Sequence, residues 1–477
     1  MNMKVLTLVA TAIAASVAGP TLLCGATLSI SKDVRFTAGT IQNLSQDIGS
    51  GRYSSPRPAR DFHIMRTRDG GTLLTGFGPE SAGSYPALFV RRLDSFGGTV
   101  WTRRLGDTNA IHMLYDVTEN EADEIIVLTA STINEFFRSQ APARIVKLSQ
   151  SGDILEEQTP SDPASGRNYL FSRIIPTSGG YILAGRLPRD GCCWPIVTRR
   201  VTSDFAVVWE KREATTDYVR AGEELDVAHL ERTPNGGFIY VLSRGQVIKA
   251  RADGTNEWVR GYGNWCVNAP CYENPVSVQP LRDGGYAVLY SSVHDAISTA
   301  YRSAPNYGMS DYWIVRINAS GQQLWDRSYG GNLQEVARFL IETEDGGFIV
   351  GGASTSDNIS GNKGVVGTGT WCVKLDGSGV KEAELLLPDD YWTILPKPSG
   401  FSLVGWGTNS SANLVSADLN ALRRASVTAR SVDGRPFNLD VSTNLVDWTP
   451  LMIGFTGELN LLQTYNRDRK FYRAVEP

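Results

Sequence analysis

The chain is poor in histidine, with 4 in 477 residues, and it has no cationic excess: 46 Lys and Arg stand against 50 Asp and Glu, a formal net charge of −4. The first shortage argues against a metal centre built on histidine. The second argues against nucleic acid as the partner, because phosphate contacts need a basic surface. Six cysteines occur, none in C-x-x-C spacing, which leaves a zinc ribbon or a thioredoxin-type site without its ligands. No apolar run reaches the roughly 18 residues a membrane helix needs, so the mature chain is expected to have no transmembrane span. Helical periodicity of useful length is absent too. The G-x-S-x-G elbow, the H-E-x-x-H helix and the phosphate-binding G-x-x-x-x-G-K loop are all missing. Adjacent acids such as Glu156-Glu157, Glu223-Glu224 and Asp389-Asp390 point to opposite faces on a strand and do not preorganise a glycosidase pair.

What the chain does have is glycine, 48 residues, together with 11 Trp, 18 Tyr and 16 Phe. That combination predicts many tight turns between aromatic strands. Residues 1–26 read as a secretory signal. Lys4 provides the positive start, Val5 to Ala18 form an apolar run too short to span a bilayer, and Cys24-Gly25-Ala26 offers small residues for cleavage. Export agrees with the cysteines: Cys266 and Cys271 close a short loop and are the best disulfide candidate. Cys372 sits in an apolar strand and is expected as a buried thiol.

A repeat of about 55 residues dominates the rest. Its double glycine, or a stand-in, recurs as Gly70-Gly71, Ala122-Asp123, Gly179-Gly180, Gly236-Gly237, Gly284-Gly285, Gly346-Gly347 and Ser399-Gly400. A second turn follows each third strand, as in Ala252-Asp-Gly254, Asn318-Ala-Ser-Gly321 and Asp418-Leu-Asn420. Asp, Asn and Ser start such turns through their own backbone bonds, and glycine ends them at positive φ. Four residues past the turn glycine, or its equivalent, stands Trp101, Trp209, Trp258 or Trp325. Strands alternate with period two, as in Trp371-Cys-Val-Lys-Leu375. Four short strands repeated seven times predict an all-β chain: a seven-bladed β-propeller of four-stranded antiparallel blades over 59–425. Residues 27–58 precede it as a segment that adds a ring-closing strand. A small C-terminal β-module occupies 426–477.

The string D-G-G-Y/F, then W-x-V-K/R-L-D-x-x-G, then W and Y-G-G, resembles secreted bacterial β-propeller repeat proteins. The pattern Ser442-Thr-Asn-Leu445 … Trp448 … Phe471-Tyr-Arg473 is similar to short β-modules that end many bacterial exported proteins. The resemblance implies fold and export, to the periplasm, the cell surface or the medium. It does not imply a single activity.

Function is expected where the long loops gather, since loops carry binding when strands hold them. If the first strand of each repeat lines the channel, both tight turns fall on one face and the long loops on the other. Those loops carry Phe136, Phe137, Trp194, Trp265, Tyr272, His294, Tyr301, Arg302 and Tyr307, residue types that suit sugar faces or protein hot spots. A polar residue also precedes each first strand: Asp61, His112, Asn168, Asp226, Glu273, Glu335 and Asp390. Convergence of these at the channel mouth would offer oxygen ligands to Ca²⁺ or acids for catalysis; the simpler expectation is capping of strand ends, with no cofactor. His63 and His229 share one repeat position, where packed, satisfied imidazoles are the ordinary outcome. Cys192-Cys193-Trp194 is like the vicinal disulfide of propeller quinoproteins, but those have eight blades and another tryptophan motif. The expected function is thus a non-catalytic secreted or cell-surface protein that binds a glycan or a protein through its long-loop face. The alternative is an extracellular polysaccharide hydrolase or lyase with acids at the channel mouth.

Overall fold

The computed structural model describes residues 6–9, 24–45, 62–77, 87–94, 98–106, 109–133, 141–188, 195–213, 225–262, 272–293, 302–388, 390–397, 400–406, 412–431, 437–442, 449–455, 458–465 and 471–475. The chain divides into two compact units, one of 38–418 and one of 1–37 with 419–477. Among the described residues every regular element is a strand, and no helix long and apolar enough to cross a membrane occurs among them.

The larger unit is a β-propeller. Blade 1 is built from Phe62–Arg66, Thr72–Phe77, Leu88–Leu93 and Thr99–Leu105. Blade 2 follows with Ile111–Glu119, Ile125–Thr132, Ala143–Leu148 and Ile154–Gln158. Blade 3 has Leu170–Thr177, Gly180–Arg186, Ile196–Thr202 and Val207–Glu213. Blade 4 has Val227–Arg232, Phe238–Leu242, Gln246–Ala250 and Asn256–Gly261. Blade 5 has Tyr272–Pro280, Tyr286–Val293, Asp311–Ile317 and Gln323–Tyr329. Blade 6 has Glu335–Glu342, Phe348–Ser354, Gly369–Leu375 and Lys381–Leu387. Within each blade consecutive strands pair in order. First strands of successive blades lie against one another, so they form the inner wall.

The expected count of seven such blades is corrected to six. The last repeat begins as the others do, with Asp390–Lys397 paired to Gly400–Trp406. Its third strand does not turn at Asp418-Leu-Asn420; it runs on unbroken from Ala412 to Ser431. That turn has no glycine to take a left-handed conformation, so the chain continues extended. The sheet it belongs to has five strands. Cys24–Ser45 takes the place next to the long strand, and Glu458–Tyr465 also pairs with it. The N-terminal segment thus supplies a strand to the last repeat's sheet.

In the smaller unit, Phe437–Ser442, Thr449–Phe455 and Phe471–Val475 form a sheet with Leu6–Val9. The edge strand Leu6–Val9 comes from the apolar run read as the core of the signal; a chain cleaved after Ala26 would lack that strand.

Candidate functional site

The recurring motif residues are committed to the fold. The outer-strand tryptophan of one blade lies under the third-to-fourth-strand turn of the next. A side-chain carbon at Gly152, Gly254, Gly321 or Gly379 would lie 2.7, 2.9, 2.9 or 3.1 Å from Trp101, Trp209, Trp258 or Trp325 respectively. These glycines have φ of +77° to +84°. Three of the indoles donate to the carbonyl two residues before that glycine: Trp101 Nε1 to Gln150 O at 2.8 Å, Trp209 Nε1 to Ala252 O at 3.1 Å and Trp258 Nε1 to Ala319 O at 3.0 Å. Tyr262 and Tyr329, the tyrosines of the Y-G motif, donate their hydroxyls to Gly321 O and Gly379 O.

Blade 2 has Glu156 where the tryptophan would be, and the facing turn of blade 3 has Phe205 at φ 60° in place of glycine. The two changes fit each other. With no indole below, the turn can carry a side chain, and Phe205 stacks on Tyr181 at 5.4 Å. Lys147 Nζ donates to Ser203 O at 2.6 Å, the same carbonyl position the indoles use elsewhere.

The Lys or Arg of the third strand is a buried tie to the first hairpin turn. Lys374 Nζ reaches Asp345 at 3.2 Å, Glu382 at 3.1 Å and Leu375 O at 2.7 Å. Arg92 Nη2 meets Asp69 at 2.6 Å, and Arg316 meets Asp283. The Thr67 hydroxyl and the Arg92 guanidinium bond the Asp69 carboxylate, which holds it down at about 2.

The inner wall carries a second set of ties that the sequence hid. In blades 2 to 6 the first strand has a bulge at one equivalent position, between Leu114/Asp116, Phe171/Arg173, Val227/His229, Pro275/Ser277 and Ala337/Phe339. Bulges re-aim side chains, and here they aim residues across the seams. Asp116 Oδ2 accepts from Ile174 N at 3.1 Å, Arg173 Nε donates to Ala228 O at 2.9 Å, and His229 Nδ1 accepts from Val278 N at 3.4 Å. His63 Nε2 lies 3.7 Å from Asp116. His229 thus ties its blade to the next, and His63 faces the acid of its neighbouring blade.

Of the polar set expected at the channel mouth, four side chains are described. Asp226 is buried. It accepts from Ser172 Oγ of blade 3 at 2.9 Å and from Val227 N at 2.7 Å, with Arg186 Nε at 3.5 Å. Burial pushes its carboxyl up. Glu335 is fully buried, accepting from Ser354 Oγ and Gly331 N, both at 2.7 Å. His112 is buried against Gly106, and Asn168 bridges to Ser161. The Asp226 and Glu335 carboxylates are thus engaged where their own blades begin, and Asn168 pairs through its backbone. Asp61 lies outside the described residues, as do the side chains of Glu273 and Asp390.

Of the loop set, Phe136, Phe137, Trp194, Trp265, His294 and Tyr301 lie outside the described residues, as do Cys192, Cys193, Cys266, Cys271 and the Tyr272 side chain. Arg302 turns inward. It donates to Ser292 Oγ, to Ser328 Oγ at 2.6 Å and to Pro305 O at 3.1 Å, lies 3.7 Å from Asp311 and covers the Trp313 ring. Tyr307 is half-buried, and its N–H donates to Asp311 Oδ2 at 2.9 Å.

Arg302 and Lys363 instead reveal how the long loops of blades 5 and 6 are built. Lys363 Nζ is buried and donates to the carbonyls of Ser356, Val365 and Gly367 at 2.7, 2.9 and 2.8 Å. Each loop wraps a buried cation that collects backbone oxygens, which fixes it without regular structure. Asn362 ties the blade 6 loop to the end of blade 5, donating Nδ2 to Ser328 O at 2.8 Å and accepting from Gly330 N at 2.9 Å. On top of this frame stand apolar residues in water: Met309 is 56% exposed, Leu333 37%, Ile359 66% and Val366 69%. Met309 N bonds to Leu333 O at 2.8 Å, and Leu333 N to Ser356 Oγ at 3.0 Å, so the tips sit on one bonded framework. Neither the buried cations nor these tips follow a periodic pattern that would have marked them in the sequence.

Cys372 is a free thiol, fully buried, and burial pushes its pKa far up. Native protein should resist iodoacetamide at Cys372 and react there only on unfolding; peptide mapping after timed alkylation would show it, and fast labelling of native Cys372 would contradict the packing.

No protein-family model matches the chain, and no curated protein does. Among solved structures it is similar to BamB from Moraxella catarrhalis, at 10% identity and a TM-score of 0.43 over 80% of this chain and 99% of that one. It is also similar to Raptor from Chaetomium thermophilum, at 14% identity and a TM-score of 0.48 over 82% of this chain and 29% of that one. A protein of unknown function from Bacteroides caccae matches at 15% identity and a TM-score of 0.36, over 67% of this chain and 92% of that one. The propeller follows from the strand order itself, not from these likenesses.

Proposed function

We propose that this is a secreted, non-catalytic binding protein that engages a partner protein with its long-loop face, in the periplasm, at the cell surface or in the medium. The observation that supports it is the set of exposed aliphatic tips, Met309, Leu333, Ile359 and Val366, on loops held by a buried polar frame. A preorganised apolar tip gains its burial on binding without first ordering a loop, and rim amides such as Asn332 and Asn358 can satisfy a partner's backbone. Glycan binding is the second reading, carried by the aromatic loop residues Trp265, Tyr272 and Tyr301. The hydrolase alternative has less behind it: Asp226 and Glu335 are occupied in bonds to their own and neighbouring blades.

The test is site-specific photo-crosslinking at Ile359 in the producing cells, run beside retention and sugar release on insoluble polysaccharides. A discrete protein adduct lost in the double variant Ile359→Asp/Val366→Asp supports the proposal. The double variant should keep wild-type melting within about 0.5 kcal/mol, since both side chains are in water. Retention on a polysaccharide with no adduct would replace protein by glycan, and released sugar would make the protein an enzyme.

A further inference from the structure

The seam between blades 5 and 6 holds two fully buried carboxylates, Asp311 and Glu335, which begin strands of neighbouring blades. They face each other across Gly330: a side-chain carbon there would collide with Asp311 Oδ1 and lie 3.0 Å from Glu335 Oε2. Asp311 Oδ2 accepts from Tyr307 N at 2.9 Å and has Arg302 Nη2 at 3.7 Å. Asp311 Oδ1, the oxygen on the Glu335 side, has no hydrogen-bond partner. A buried, bare carboxylate oxygen turned toward a second carboxylate is costly in its ionised form, by desolvation and by like charge. A single proton placed between them removes both costs. We propose that Asp311 and Glu335 share a proton across this seam, and that gain of the proton fastens the two blades while its loss loosens them.

The proton is taken from solvent onto Asp311 Oδ1, and the resulting hydroxyl donates to Glu335 Oε2. The charged and titratable groups facing the pair are Arg302 and Tyr307 from the blade 5 loop, Tyr312 from the third strand of blade 5, and Lys363 from the blade 6 loop. Arg302 and Lys363 are committed to fixed partners, and neither donates to Asp311 Oδ1. Burial first, then the Glu335 charge, push the Asp311 carboxyl up from 3.8 to about 6 against the opposing backbone bonds and Arg302. Its folded value is therefore above its unfolded value. The contribution to stability is full below pH about 4, fades as the pH rises and is gone above pH about 6. The seam bonds that feel it are Met309 N to Leu333 O and Glu335 N to Ser310 O, both 2.8 Å. These set the positions of the exposed Met309 and Leu333, so, on the reading of the long-loop face as the binding surface, partner affinity would be greater in mild acid.

Hydrogen exchange of the whole protein tests this without any ligand. After correction for the intrinsic pH dependence, the amides of Met309, Ser310 and Glu335 should exchange about tenfold more slowly at pH 5 than at pH 7.5, while amides of the blade 2–blade 3 seam should not change. Asp311→Asn supplies a permanent N–H donor to Glu335, so its seam amides should be slow at both pH values. If that variant does not fold, Glu335→Gln offers the same donor from the other side with the same expectation. Corrected exchange that is equal at the two pH values in the wild type, or a variant that follows the wild-type pH profile, would overturn the proposal. A seam that responds in a protein with no long-loop partner would overturn the binding reading and leave the shared proton standing.

Discussion

Gly321→Val is expected to destabilise the protein by about 3 kcal/mol, and to lose much of that effect when Trp258 is already alanine. Gly321 has φ +77°, a conformation that costs a β-branched residue on the order of 1–3 kcal/mol wherever it stands. The second part of the penalty is specific to the seam. The new side chain would start 2.9 Å from Trp258 Cδ2, and overpacking of this kind costs about 1–3 kcal/mol. Trp258 cannot retreat. Its N–H is bonded to Ala319 O at 3.0 Å, and its ring packs edge-on to Tyr286 at 5.9 Å. Trp258→Ala alone should cost about 4 kcal/mol as a large-to-small change in a buried site. In the double variant the clash has no partner, so only the backbone penalty of valine remains. A coupling of about 1–2 kcal/mol in a double-mutant cycle by chemical denaturation is the expected reading. Strict additivity would show that the tryptophan and the turn glycine act independently, and the blade-to-blade latch would have to be abandoned.

The same latch explains what could be read from the sequence and what could not. The turn glycine and the tryptophan were visible because the two recur at a fixed spacing. Their spacing placed both within one repeat, whereas the contact they make is between repeats, Trp258 of blade 4 against Gly321 of blade 5. Sequence periodicity shows that a unit recurs; it does not show which residue of one unit touches the next. The extra blade was an error of the same kind. Asp418-Leu-Asn420 matched the turn by position and by its acidic start, but it lacked the glycine that would reverse the chain, and the strand runs through it. Periodicity was equally silent on the partners of the polar set: the strand-start residues Asp226 and Glu335 take the nearest backbone donors and hydroxyls of the blade seam. Buried groups take the first partners that satisfy them. Arg302 shows a related effect. A long cationic side chain in a loop reads as solvent-facing, yet here it is the strut of that loop. Lys363 in Asn362-Lys-Gly364 carries no pattern at all, since the carbonyls it gathers are local to one irregular loop.

Lys374→Met is expected to destabilise the protein by about 3 kcal/mol, although methionine fits the space and is itself apolar. The Lys374 side chain is fully buried, while its partners Asp345 and Glu382 are only partly so, at 27% and 13%. Removing one member of a buried ionic group leaves the others with uncompensated charge, which typically costs about 3–5 kcal/mol. The partial exposure of the two acids lets water recover part of the loss, which places the value at the lower end. The lysine also donates to Leu375 O at 2.7 Å, and a side-chain carbon at Gly347 would lie 2.5 Å from its Nζ. The second glycine of the D-G-G turn leaves room for the Leu375 carbonyl, which would lie 2.2 Å from such a carbon, as well as for the cation. Two consequences separate this account from simple loss of packing. First, the triple variant Lys374→Met/Asp345→Asn/Glu382→Gln should recover most of the stability, to within about 1 kcal/mol of wild type, because no charge is left unpaired. Second, the double variant Lys374→Met/Glu382→Gln, with one unpaired acid fewer, should fall between Lys374→Met and the triple variant. Denaturation midpoints of these variants and the wild type at pH 7 decide it. If the triple variant is as unstable as Lys374→Met, the buried cation is a packing element and not the electrostatic centre of the repeat.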